Sequence, residues 1–401
     1  MKRRTFLTSS ASLAAATMFS SSRAGGKSHF VAELIPSEIP KSLFKSRLER
    51  ASRLMESEKL DGLIATPGTN FTYFVGYNPG RSERLIAFVM SRDGRAMIVA
   101  PSFEKERIIR RSVVSDIDVW EEQENPYTLT ASVVEKLGVA SGRIGIEPST
   151  TYEDYLRLKE AIPKASLVDG SPIFDELRMA KSPEELDAIR KAIDVTLASI
   201  AATHEKLQEE ASEQEVSRIL SSEMSRRGAG GGGLVQFGPS SALPHGGPTG
   251  APLKKGTVVL IDAGCRVDGY TSDITRTIYW GAEPPQKYRD VYNTVFDAQQ
   301  AAAKLAKPGV ECQEMDRTGR AVIDKAGFGK YFTHRLGHGL GMDGHELPYL
   351  VEGNIYKLKP GHVVTIEPGI YIPNEFGVRI EDDFVITESG AEQLSEKARR
   401  L

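Results

Sequence analysis

Thr257-Val258-Val259-Leu260-Ile261 reads as a buried strand, yet the run delivers an acid, Asp262. Across residues 266–270, which contain the turn signal Asp268-Gly269, a second strand is expected from near Thr271 and carries Asp273. The midpoint of positions 262 and 273 falls between Val267 and Asp268, inside that turn, so the two carboxylates are expected to face each other across an antiparallel hairpin. The construction recurs downstream. Val363-Val364-Thr365-Ile366 leads into Glu367, Gly377-Val378-Arg379-Ile380 leads into Glu381, and the midpoint is Asn374, in the turn of residues 372–377. Two hairpins with two carboxylate pairs point to an internal duplication.

Carboxylates are poor strand formers, and like charges opposed on a half-buried surface repel. A single pair reads as solvent-facing strand residues. Two pairs, each entered from an apolar run, point to a cation that neutralises them. An imidazole candidate lies in His334-Arg335-Leu336-Gly337-His338-Gly339-Leu340-Gly341-Met342-Asp343-Gly344-His345-Glu346, where three of the chain's seven histidines cluster among glycines that allow close backbone approach. Four carboxylates plus one imidazole suit a pair of hard or borderline divalent ions, Mn foremost, with Co, Zn or Fe as alternatives.

Upstream, residues 41–60 carry a helical pattern through Leu43, Phe44, Leu48, Ala51, Leu54 and Met55. Strand candidates follow at 62–66, 84–90, 96–101, 117–120, 143–147 and 166–169, alternating with helical stretches, which is the pattern of an α/β domain with its own sheet. That region has no histidine beyond His29 and so no metal-ligand constellation. Ser171-Pro172 and Ser182-Pro183-Glu184-Glu185 mark a boundary, with Ser182 as helix cap, Pro183 at the first position and Glu185 closing a capping box. The helix is expected to run to about Glu209; a second box, Ser212 to Glu215, starts another that ends at Arg226-Arg227-Gly228. The glycine run 228–233 is followed by neither Gly-Lys-Ser/Thr nor a helix signal, so it is read as a flexible turn and not a phosphate loop.

The first residues, Met1-Lys2-Arg3-Arg4-Thr5-Phe6-Leu7, then a small apolar stretch over 11–19 and Ser22-Arg23-Ala24, follow the plan of an export signal over residues 1–24. The Arg3-Arg4 pair before Phe6-Leu7 resembles the twin-arginine signal, which implies export of a folded protein, to a bacterial periplasm. Without residues 1–24 the 51 basic residues fall to 47 against 54 acidic ones, a net charge of −7, which argues against nucleic acid as partner. No other segment has the ~20 apolar residues of a membrane span. The two cysteines, Cys265 and Cys312, read as buried packing residues, with a single bridge between them as the alternative.

The motifs Leu260-Ile261-Asp262-Ala263-Gly264, Tyr270-Thr271-Ser272-Asp273-Ile274-Thr275-Arg276-Thr277, the His334 to Glu346 cluster, Thr365-Ile366-Glu367-Pro368-Gly369-Ile370-Tyr371 and Gly377-Val378-Arg379-Ile380-Glu381-Asp382 resemble, in that order, the proline-specific metallopeptidases of the pita-bread fold: the Xaa-Pro aminopeptidases and Xaa-Pro dipeptidases, or prolidases. More loosely, residues 70–77 and 83–85 are similar to a creatinase-type N-terminal domain. The resemblance implies an α/β (α+β) chain with a creatinase-like domain at 30–170 and a pita-bread catalytic domain at 180–401. It makes Asp262, Asp273, His338, Glu367 and Glu381 the metal ligands, with Asp273 and Glu381 bridging two ions. It places His245 on the substrate side, His345 near the scissile carbonyl, and His334 and Arg379 along the site; general acid–base chemistry adds Glu367 as proton shuttle to the leaving nitrogen. It also implies a peptide substrate and a homodimer.

The chain departs from that pattern at one point. Many prolidases carry a basic residue just after His-Glu-x-Pro to hold the dipeptide's carboxylate, whereas His345-Glu346-Leu347-Pro348 is followed here by Tyr349, with no Lys or Arg before Tyr356. Longer peptides, or a different carboxylate clamp, stay open. The alternative within the same fold is a non-peptidase member, amidinohydrolase or sulfoniopropionate-lyase-like; the complete ligand set speaks against creatinase-like members.

Overall fold

Alternation along the first-half strands sends side chains to two separate cores. In the computed structural model, which describes residues 39–248 and 250–401, Leu63, Phe88, Met90 and Ile98 face one core, while Ile64, Ala87, Val89 and Val99 face the other. A sheet buried on both faces needs a cover on each. Helices Lys41–Ser57 and Thr69–Val75 supply one through Met55, Phe71 and Phe74, and Pro126–Lys136 with Tyr152–Ala161 the other through Val133, Val134 and Leu158. The six strands run, in spatial order, Ile117–Trp120, Ala96–Pro101, Ala87–Ser91, Gly62–Ala65, Arg143–Ile146 and Ser166–Asp169. All six expected strands are present, the second beginning at Ala87 and not at Arg84. The leader expected over residues 1–24 lies outside the described residues.

Both capping boxes form. Ser182 accepts the Glu185 N–H while the Glu185 side chain takes the Ser182 N–H, and Ser212 and Glu215 repeat the exchange. They open helices Pro183–His204 and Glu213–Arg226, the first ending one turn before the expected Glu209. Strand Gly230–Phe237 follows, then Thr257–Val267 paired with Ile274–Trp280. The plan then repeats: helices Gln286–Leu305 and Cys312–Lys325, strand Gly337–Gly339, and Val363–Ile366 paired with Asp382–Ile386. This is the duplicated, pita-bread half that follows the creatinase-type α/β half. Among the described residues no helix is long and apolar enough to cross a membrane.

Two expectations change and one alternative falls away. The glycine run is not a flexible turn, because Gly230–Phe237 pairs along Thr257–Val267. A Cβ at Gly231 would stand 2.5 Å from Cys265 Cβ, and one at Gly233 would stand 2.3 Å from the Asp262 carbonyl oxygen, so the glycines permit a strand contact that side chains forbid. Next, Asp262 lies opposite Thr275 and not Asp273. The turn is a two-residue one with positive φ at Asp268 and Gly269, which pairs Val267 with Tyr270 and shifts the register by two. Asp273 sits in the gap between Tyr270–Thr271 and Ile274–Trp280, diagonal to Asp262 on the same face. Finally, Cys265 and Cys312 are both buried and free, so the alternative of a bridge falls away.

The second hairpin keeps its expected register. Ile366 pairs with Asp382, and Gly369 with Arg379, which leaves Glu367 and Glu381 opposed in the gap between the two ladders. Asn374, at φ 63°, turns the chain. A bridge between Thr275 and Glu381, with the Glu381 N–H donating to the Thr275 carbonyl at 3.2 Å, sets the two hairpins side by side.

Candidate metal centre

Asp273, Glu367 and Glu381 stand at breaks in the strand ladders, and Asp262 in the long strand Thr257–Val267. His338 is the centre of Gly337–Gly339, where a Cβ at either glycine would meet a carbonyl oxygen, Thr365 at 2.0 Å or Leu347 at 2.1 Å. The two glycines thus let the His338 strand lie close against the backbones of Thr365 and Leu347. One donor atom from each of Asp262, Asp273 and Glu381 lies within 4.8 Å of the others, and the same holds for His338, Glu367 and Glu381, and for Asp273, His338 and His345. Glu381, Asp273 and His338 each belong to two of these groups.

The electrostatics are those of a cation site. Burial, then the charges of Glu381, Asp262, Asp383 and Glu367, push the Asp273 carboxyl well above its ordinary range. Burial and Glu381 do the same to Glu367, and burial with Asp262 raises Glu381 to about 8, against the pull of Arg379. Without positive charge this wall would have to take up protons. His338 Nδ1 donates to the Gly339 carbonyl at 3.0 Å, which leaves the Nε2 lone pair facing Glu367 Oε1 at 3.3 Å and Asp273 Oδ2 at 3.8 Å. Burial, with His345 next, lowers its pKa to about 3, so it is neutral, as a ligand must be. Acceptors facing one another at such distances call for a cation between them, and four carboxylates with one imidazole fit a divalent ion.

These residues line a cavity of 450 Å³ together with Pro244, His245, His334, Arg335, His345 and Arg379. Every site residue expected from the sequence is therefore gathered around one space. His245 and His345 are exposed at it, the His345 ring 4.0 Å from the His338 ring. Arg379, two positions from Glu381, brings Nε to 3.9 Å from Glu381 Oε2 and donates from Nη2 to Asp262 at 2.6 Å. Its Nη1 donates to the Tyr371 hydroxyl at 2.8 Å. Tyr371 in turn donates to His334 Nε2 at 2.8 Å, because His334 Nδ1 donates to the Arg335 carbonyl at 2.7 Å. Burial and Arg379 hold His334 at a pKa of about 3, neutral. A larger cavity of 590 Å³, lined by Arg47, Tyr77, Arg111 and Tyr270 among others, has no such carboxylate cluster.

Four participants were not singled out from the sequence. Thr275 accepts from Arg379 Nε at 3.1 Å and donates to Glu381 Oε2 at 2.6 Å; Asp383 Oδ2 accepts the Asp273 N–H at 3.1 Å; Tyr371 links Arg379 to His334; and Arg335 lines the cavity. Thr275 and Tyr371 sit inside the motifs, but a threonine or tyrosine in a strand reads as an ordinary strand former.

Residues 187–388 match the family described as Metallopeptidase family M24. The chain belongs to that family. Residues 47–180 match the Creatinase/Prolidase N-terminal domain. Among relatives, the metallopeptidase is 34% identical over 328 residues to the putative dipeptidase YkvY of Bacillus subtilis, covering 79% of this chain and 90% of that one. Among solved structures, the dipeptidase PepE of Mycobacterium ulcerans is similar at 32% identity and a TM-score of 0.84, over 91% of this chain and 99% of that one. The Xaa-Pro dipeptidase of Bacillus anthracis is similar at 32% identity and a TM-score of 0.81, over 89% and 99%.

Proposed function

We propose that this metallopeptidase hydrolyses Xaa-Pro bonds, in dipeptides or at the N-terminus of short peptides, with two divalent ions, Mn foremost. The observation that carries the reading is Glu381 shared between two donor groups, Asp262/Asp273 on one side and His338/Glu367 on the other, which suits two adjacent ions better than one. The similar Xaa-Pro dipeptidase supports the proline preference.

Asp262, Asp273, His338, Glu367 and Glu381 would hold the ions, Asp273 and Glu381 each offering donors to more than one group. Bound ions supply Lewis acidity toward the scissile carbonyl and make water acidic enough to lose its proton near neutral pH. Glu367, at the same cavity, would accept a proton from the attacking water and pass it to the leaving nitrogen. His345, beside His338 at the cavity, donates to the oxygen that gains charge, and His245 contacts the substrate. Arg379 holds Asp262 in place through its Nη2 donor, and His334 orients the Tyr371 hydroxyl that receives Arg379.

Purified protein given Mn or Co should release the N-terminal residue from Ala-Pro or from longer peptides with proline second. No release from any member of a di-, tri- and tetrapeptide panel, with metal content verified, overturns the reading; the ratio between members assigns the subclass. We also propose a homodimer exported through the leader. Light scattering checks the first, and loss of export on replacing Arg3-Arg4 with lysines checks the second.

A further inference from the structure

Two arginines line the cavity of the metal centre, and their engagement differs. Arg379 commits its guanidinium to Asp262, Thr275, Tyr371 and the Pro244 carbonyl. Arg335, among the described residues, donates no side-chain hydrogen bond and forms no ion pair; its guanidinium lies 4.3 Å from the centroid of the Tyr349 ring. The two meet because Gly337–Gly339 runs antiparallel to Glu346–Leu350, with Gly337 opposite Leu350 and the Leu336 N–H donating to the Leu350 carbonyl at 3.0 Å. Tyr349 thus stands where many prolidases carry a basic residue, and an arginine reaches the same neighbourhood from the segment just before Gly337–Gly339.

A guanidinium stacked on an aromatic face keeps its in-plane donors free, and that fork matches a carboxylate. The rest of the cavity's charged wall is acidic apart from the fully engaged Arg379. We propose that Arg335, positioned by Tyr349, receives the free C-terminal carboxylate of a dipeptide substrate and so makes this site selective for dipeptides over blocked or longer peptides. The assignment rests on reading the cavity as a peptidase site. Arg335 is the specificity-determining contact and Tyr349 its positioning residue.

The test compares Ala-Pro with Ala-Pro amide, as kcat and KM on Mn-loaded protein and as calorimetric binding to metal-stripped protein. Arg335→Gln should lower the acid-over-amide preference by about 10- to 100-fold, carried by KM for the acid. Tyr349→Ala should lower it in part, and Tyr349→Phe, which keeps the stack, should restore it. Equal losses on acid and amide would mean that Arg335 serves the metal wall and not the substrate, and an unchanged preference would mean that it contacts neither; both overturn the clamp. If wild-type protein hydrolyses neither compound, the peptidase reading falls, while calorimetric discrimination between them, present in wild type and lost in Arg335→Gln, still decides the clamp.

Discussion

Arg379 Nη2 lies 2.6 Å from Asp262 Oδ2, and the same guanidinium reaches Thr275 and Tyr371. Lysine offers one compact ammonium in place of that fork. Arg379→Lys should therefore lower metal affinity and kcat by about 10- to 100-fold, the usual loss for a residue that orients a ligand. Metal titration by calorimetry, beside steady-state kinetics, checks it.

Asp273 belongs to two donor groups. Adding Mn to chelator-treated protein at a hundredfold excess over Kd should stabilise it by about 2.7 kcal/mol. Asp273→Ala should abolish peptidase activity and most of that stabilisation. Thermal melts with and without metal, with metal content by elemental analysis, provide the comparison.

Glu346 is buried between Arg178 and Lys181, and its Oε1 accepts the Asp343 N–H at 2.9 Å. Arg178 also holds Asp343 at 2.6 Å, so the network anchors the segment that presents His345. Glu346→Ala strands the buried Lys181 ammonium and leaves Arg178 with Asp343 as its one acid partner among the described residues, and should cost about 3–5 kcal/mol in denaturant unfolding. A loss below about 1 kcal/mol would show that solvent reaches the pair.

His362 is fully buried, with Nδ1 accepting the Lys359 N–H at 3.3 Å and Nε2 without a partner. Burial, then the Lys181 charge, lowers its pKa from 6.5 to about 4. Between those values the unfolded chain binds a proton that the folded chain refuses. This contribution to stability is complete above the unfolded value and is lost as pH falls toward the folded one. His362→Gln should flatten the pH dependence of stability in that window relative to wild type, as read by urea unfolding at a series of pH values.

Gly233→Ala would set a methyl group 2.3 Å from the Asp262 carbonyl oxygen. Separating the strands should cost about 1–3 kcal/mol and shift Asp262, weakening metal binding as well. Gly228→Ala, at a position with open space but a φ of 81°, should cost stability without weakening metal binding. Unfolding curves and metal titrations of both variants check the contrast.

Much of this protein was legible in the sequence because the signals are local. Capping boxes act over three residues, strand alternation over two, and the Asn374 turn sets one register for both ladders of the second hairpin. The Asp268-Gly269 dipeptide carried the register of the first hairpin too, since a two-residue turn pairs Val267 with Tyr270; centring on the acids concealed it. Those local rules determined the elements and the four carboxylates, while His338 was singled out within its histidine cluster by the family resemblance. Only the tertiary structure decided that the glycine run is a strand, that Thr275, Tyr371 and Asp383 hold the donors, and that Arg335 lies over Tyr349. The reason is physical: a close backbone contact, a hydrogen bond between halves or a stacked guanidinium depends on atoms from separate segments, and no spacing along one segment encodes their meeting.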